Sequence, residues 1–172
     1  MLIKPINDGQ QQQVRNATSD CLTRAGKIFR IELEPITITF DLTGRSAGMY
    51  RVQRGQRTIR YNAYLFAKYF DDNLATTVPH EVAHYVADML YGFQRIRPHG
   101  AEWQEIMCAL GVEPRATGQY DLTGIPVRRQ QRFSYHCRCS THRLTASRHY
   151  KICRKKAAYL CNHCGDKLIR TK

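Results

Sequence analysis

No run of about 18 apolar residues occurs in the 172-residue chain, which argues against a membrane-spanning helix. The opening MLIKPINDGQQQQ has no apolar block ahead of a cleavage site, so no secretory signal is expected there. Internal repeats are not visible, and QQQQ at Gln10–Gln13 is too short to form a low-complexity tract. Acidic side chains are scarce towards the end: residues 127–172 carry 13 basic groups and 1 acidic group. What remains is the composition of a folded protein, 42% hydrophobic and 24% charged. That length has room for one main domain and a small appendage. The expected setting is the cytoplasm, as a monomer without membrane contact.

Charge is unevenly shared. Net charge is +5 over residues 1–60, −4 over 61–126 and +12 over 127–172, within a total of +13. A basic block at one end points to a polyanionic partner. Seven cysteines without a secretion signal point to metal binding rather than disulfides. Cys21 and Cys108 fall inside helical apolar patterns and are expected to be buried core thiols.

Val14, Cys21, Leu22, Ala25, Ile28 and Phe29 recur at helical spacing, predicting an amphipathic helix over residues 10–29. Alternation predicts strands at Ile36–Phe40, Ala47–Val52 and Arg57–Asn62, with a turn between the last two. Helical pattern covers Ala63–Phe70 and resumes near Leu74, ending at Gly92. Pro79 sets the start of that helix, or a kink in it, just before VPHEVAHY. A further helix in HGAEWQEIMCALG closes at Gly111, and Arg128–Arg132 reads as a linker.

VPHEVAHY holds His80, Glu81 and His84 in the pattern HExxH. On a helix the two histidines lie one turn apart on one face and can share a metal ion, with Glu81 beside them as general base to a metal-bound water. Val78, Val82, Tyr85 and Met89 oppose them and are expected to be buried, while Asp88, a candidate partner beside the site on the same helix, is expected to be solvated. A catalytic zinc needs a third protein ligand. Ala87 and Leu90 exclude the metzincin extension, which requires glycine and histidine at those positions. Peptide deformylase takes a cysteine, but Cys21 and Cys108 lack that enzyme's motif. His99 is the favoured third ligand, with Glu102 in reserve. The implied reaction is metal-assisted hydrolysis of a carbonyl.

The tail contains Cys139-x-x-His142 and Cys161-x-x-Cys164, separated by 18 residues, the spacing of a structural zinc ribbon. Cys137 offers an alternative to His142 as ligand. Cys153 lies in a strand-like KIC and reads as a packed thiol, and His149 as a surface group. Arg143, Arg148, Lys151, Arg154, Lys155 and Lys156, interleaved with Tyr135, Tyr150 and Tyr159, suit DNA of single-stranded character with little sequence specificity.

Together these stretches resemble the SprT/Spartan family of zinc metalloproteases. The likeness rests on Ser46–Gly48, Ile59–Asn62, VPHEVAHY, PHGAEW (Pro98–Trp103), LGVEPR (Leu110–Arg115), YHCRCSTHRLT and YLCNHCG. It implies an α+β, zincin-like domain over residues 1–126, with helices on a small, mostly antiparallel sheet, and a zinc ribbon over 127–172. It further implies a catalytic zinc on His80, His84 and His99, Glu81 as base, and a second, structural zinc. Cleavage of proteins crosslinked to DNA is implied for the family's eukaryotic branch. In zincin-like folds the substrate pairs with an exposed sheet edge, for which Ala47–Val52 is the candidate. The chain departs from the family pattern at Cys153, an aliphatic position there, and at Arg154–Lys156, where a turn glycine is usual. The competing expectation is a nucleic-acid-binding regulator with a non-proteolytic first domain.

Overall fold

The computed structural model describes residues 2–127 and 131–171, which form two compact units, Met1–Val127 and Arg128–Lys172. Three residues of the expected linker, Arg128, Arg129 and Gln130, lie outside the described residues.

The first unit opens with α1 (Asp8–Phe29), whose start is set by Asn7 and Gln10 capping one another's backbone. Three strands follow: β1 (Thr37–Thr39), β2 (Gly48–Gln53) and β3 (Gln56–Tyr61). Their order is β1-β3-β2, with β1 parallel and β2 antiparallel to the central β3. The β2–β3 turn places Arg54 and Gly55 at φ 50° and 79°, the paired left-handed conformations of a two-residue hairpin. β2 is an edge strand, as the family resemblance implied.

Helices α2 (Ala63–Lys68) and α3 (Phe70–Ala75) meet at Tyr69, whose φ −134° and ψ 53° break the single segment expected there. Asn62, fully buried, caps α2 with its side-chain oxygen and donates from its amide nitrogen to Gly44 O and Ser46 O. One side chain thus ends β3, starts α2 and fixes the loop that feeds β2. The motif helix α4 (Thr77–Tyr91) begins two residues before Pro79, so the proline sits in a first turn where its missing N–H costs nothing. It stops at Gly92, φ 87°. Helix α5 (Ala101–Ala109) completes the unit.

The core joins Val14 and Ala25 of α1, Ile59 and Tyr61 of β3, and Val78, Val82 and Val86 of α4 with Trp103, Ile106 and Met107 of α5. Each of the buried Val, Ile and Met side chains contributes roughly 1.5–3 kcal/mol by burial. Met89, expected on the buried face, is 42% exposed because it lies in the last turn, beyond the packed stretch. Cys108 is exposed too, one helical step round from Met107.

In the second unit β4 (Arg132–His136) pairs antiparallel with β5 (Thr141–Thr145) and with the short β6 (Ile169–Arg170). Between β5 and β6 the KIC stretch is not a strand. It ends α6 (Ala146–Cys153), which Thr145 caps by accepting from the Arg148 amide. Buried apolar groups here are few: Tyr135, Leu144, Cys161 and Leu168. The helix reverses two expectations, burying His149 and exposing Cys153. Tyr135 is 1% exposed, so it offers no stacking face to a nucleobase.

Candidate functional site

His80 and His84 leave α4 on the face opposite Val78, Val82 and Tyr85, all buried. His99 arrives from the loop before α5 with φ 57°, a left-handed backbone that histidine adopts more readily than most residues. The three ring nitrogens converge. His99 Nε2 lies 3.0 Å from His80 Nε2 and 3.1 Å from His84 Nε2. Nitrogens each about 2.0–2.1 Å from one tetrahedral ion would stand about 3.3 Å apart, so the trio fits zinc. Burial and the neighbouring rings push His80 down to about 4 and His84 to about 3, and burial lowers His99. All three are therefore neutral at pH 7, as metal ligands must be. Glu102 is not part of this group.

Trp103 forms the floor. Its ring lies 4.7 Å from those of His80 and His99 and 5.6 Å from that of His84, which it stacks. Its Nε1 donates to His80 O at 3.3 Å, and the Arg115 carbonyl accepts from the His80 ring. These contacts restrict the rings before any ion arrives.

Glu81 is 4% exposed and receives the backbone N–H of Tyr50 from β2. Burial outweighs that hydrogen bond and pushes its carboxyl up to about 8. Such a group can both take and give a proton near neutral pH. The side chain rests on Gly48: a Cβ there would come within 2.5 Å of Glu81 Oε1 and 2.6 Å of its Cγ. Trio and carboxylate line a cleft of about 1170 Å³, walled by β2 and by the Val112–Tyr120 loop.

Asp88 is buried, not solvated. It accepts from Tyr50 Oη at 2.6 Å, Arg57 Nε at 2.7 Å and Phe93 N at 2.7 Å. The edge strand is thereby tied to the motif helix. Gly48 and Trp103 were missed as site-building residues in the sequence, and Asp88, a candidate partner beside the motif, was read as solvated instead. SAG and PHGAEW, stretches carrying the family likeness, contain the first two, and Asp88 was marked only by its place on the motif helix.

In the second unit the sulfurs of Cys137, Cys139, Cys161 and Cys164 lie within 4.8 Å of one another. His142, first choice over Cys137 by spacing, is not in that group. Its Nε2 stands 3.2 Å from Cys137 Sγ and 3.1 Å from Ser140 Oγ. Cys137 precedes the turn and reaches inward from the β4 end, so four thiols assemble. Cys139 Sγ is 3.4 Å from Cys137 Sγ and 3.6 Å from Cys161 Sγ. Sulfurs at about 2.3 Å from one tetrahedral zinc would be about 3.8 Å apart, a good match. The hydrogen bond from His142 draws Cys137 down to about 5, whereas that with Cys164 pushes Cys139 up to about 12. Crowded thiolates lacking a countercharge behave so, and a divalent cation relieves the conflict. Arg143, Arg148, Lys151, Arg154, Lys155 and Lys156 are all exposed, and none is in an ion pair among the described residues. Tyr150 is 49% exposed, and the Arg148 guanidinium lies 5.3 Å over the Tyr159 ring.

A sequence model of the SprT-like family matches residues 18–150. Protein SprT of Klebsiella pneumoniae (strain 342) is 37% identical over 164 residues, covering 94% of both chains. Protein SprT of Vibrio parahaemolyticus is 35% identical over 150 residues, covering 87% of both. That of Salmonella arizonae is 37% identical over 161 residues, 92% of this chain and 93% of its own. No solved structure gives a significant match.

Proposed function

Because the chain belongs to the SprT-like family, we propose that it is a zinc-dependent endopeptidase acting on proteins held on DNA. The observation that carries this reading is the convergence of three Nε2 atoms beside a buried carboxylate in an open cleft. His80, His84 and His99 would hold the zinc ion. Bound there, it would supply a Lewis acid that polarises a carbonyl and lowers the pKa of water to about 7.

The other tasks fall to the chain itself. Glu81 takes the proton of the attacking water and returns it to the leaving amine. Gly48 and the Tyr50 amide hold the Glu81 carboxylate in place. The open edge of β2 accepts an extended backbone by strand addition, which gives little sequence preference. Four cysteines hold a structural zinc in the second unit, and its exposed cations grip phosphates. Substrates are then chosen by being on DNA rather than by sequence.

A regulator with an inert first unit is the competing reading, but it has no use for a buried glutamate beside the histidines. The deciding measurement is DNA-stimulated proteolysis by wild type and Glu81→Gln side by side. Glu81→Gln should keep its zinc and cut nothing. Undiminished cleavage by that variant refutes the mechanism.

A further inference from the structure

The second unit carries one donor more than a tetrahedral ion takes. Cys137, Cys139, Cys161 and Cys164 form the cluster, and His142 stands at its edge. The hairpin register explains why. Tyr135 pairs with His142, and the Cys137 amide donates to Ser140 O at 3.0 Å, which carries the pairing one step past β4. Cys137 follows Tyr135 by two positions, so its side chain and that of His142 leave one face as diagonal neighbours. It is Nε2 of the imidazole that meets the Cys137 sulfur, at 3.2 Å. Ser140 Oγ, 3.1 Å from the same nitrogen, helps to hold the ring there.

We propose that His142 is a reserve zinc ligand, hydrogen-bonded to Cys137 while four sulfurs hold the ion and taking that sulfur's place when Cys137 is lost. The proposal rests on the zinc reading of the cysteine cluster. Four cysteines, or three cysteines and a histidine, both make closed structural zinc sites, so either set satisfies the metal. Nε2 reaches the corner that Sγ would vacate by moving no further than their present 3.2 Å separation. Among the described residues no imidazole nitrogen stands within hydrogen-bonding distance of Cys139 or Cys164, so neither has a substitute.

Electrostatics decides which donor serves first. Four thiolates on a divalent ion leave two negative charges, whereas three thiolates and a neutral imidazole leave one. The surrounding segment carries +12 over residues 127–172, which favours the more negative set. In that set the ring keeps its proton on Nε2 and donates it to the Cys137 thiolate, a charge-assisted bond. Without Cys137 that bond has no acceptor. The ring then carries its proton on Nδ1 and offers the Nε2 lone pair to the ion.

The test loads the full chain with cobalt(II) in place of zinc and needs no proteolysis. Thiolate-to-cobalt charge-transfer absorption reports the second unit alone, because the trio of the first unit contains no sulfur. Wild type and His142→Ala should show equal bands. Cys137→Ala should keep about three quarters of that intensity, its ligand-field bands moved to shorter wavelength, as three sulfurs and one nitrogen require. Cys139→Ala and the double variant Cys137→Ala/His142→Ala should bind cobalt at least roughly tenfold more weakly than Cys137→Ala. The proposal is overturned if Cys137→Ala binds no better than the double variant, or shares its spectrum. A band already diminished in His142→Ala overturns it too, since the imidazole would then be a standing ligand. A wild type without the band removes the cluster reading and the proposal together.

Discussion

Glu81 leans on a residue that has no side chain. The absent Cβ of Gly48 is what lets the carboxylate reach the Tyr50 amide, since an added methyl would meet Oε1, Cγ and Cδ at 2.5, 2.6 and 2.8 Å. Gly48→Ala should therefore destabilise by about 1–3 kcal/mol and displace the base. Thermal melts of Gly48→Ala in wild-type and Glu81→Ala backgrounds check this. The cost should largely vanish in the second, where the clashing atoms are gone, and an unchanged cost refutes the contact. His80, Glu81 and His84 were legible in sequence because their spacing is a property of one helix. Gly48 was not, because its partner lies 33 positions away and on another element.

At the scale of elements, α4 is joined to the edge strand through Asp88. Burial alone would raise that carboxyl, but hydrogen bonds from Arg57, Tyr50 and the Phe93 amide outweigh it and hold it below the usual range. A lowered folded-state pKa means the stabilisation is present above about pH 3.9 and lost as pH falls through the folded value. Asp88→Asn should cost on the order of 2 kcal/mol at pH 7. The gap between wild-type and variant melting temperatures should narrow below about pH 4. A gap constant from pH 7 to pH 3 would show that ionisation plays no part. Element types were mostly readable, but KIC was not. A three-residue apolar–polar alternation fits either a strand or a helix, and the Thr145 cap decides for the helix.

Over the whole molecule, the two units differ in what holds them. Among the described residues the main core cluster of the first has twenty buried members, while that of the second has four, one of which, Cys161, is itself a candidate ligand. Chelation should loosen Arg128–Lys172 first, leaving Met1–Val127 protected in limited proteolysis, because structural zinc supplies on the order of 10–16 kcal/mol to such small modules. Early loss of protection in the first unit would contradict this. Replacing Lys155 and Lys156 together should flatten the salt dependence of DNA binding by roughly one unit of slope per lost phosphate contact. An unchanged slope places the DNA elsewhere.

Local periodic features could be read from the residues alone: the HExxH face, the hairpin turn, the helix stop at Gly92 and the uneven charge. Each depends on residues within about one turn or strand of one another, where backbone geometry fixes who faces whom. Packing between elements set the rest. It brought His99, already favoured from the sequence, into the histidine cluster and put Cys137 in place of His142 in the thiol cluster. It buried Asp88 and His149, exposed Cys108 and Cys153, and set Glu81 against Gly48. Those outcomes depend on which elements pack together, and a side chain's own neighbours in sequence carry no record of that.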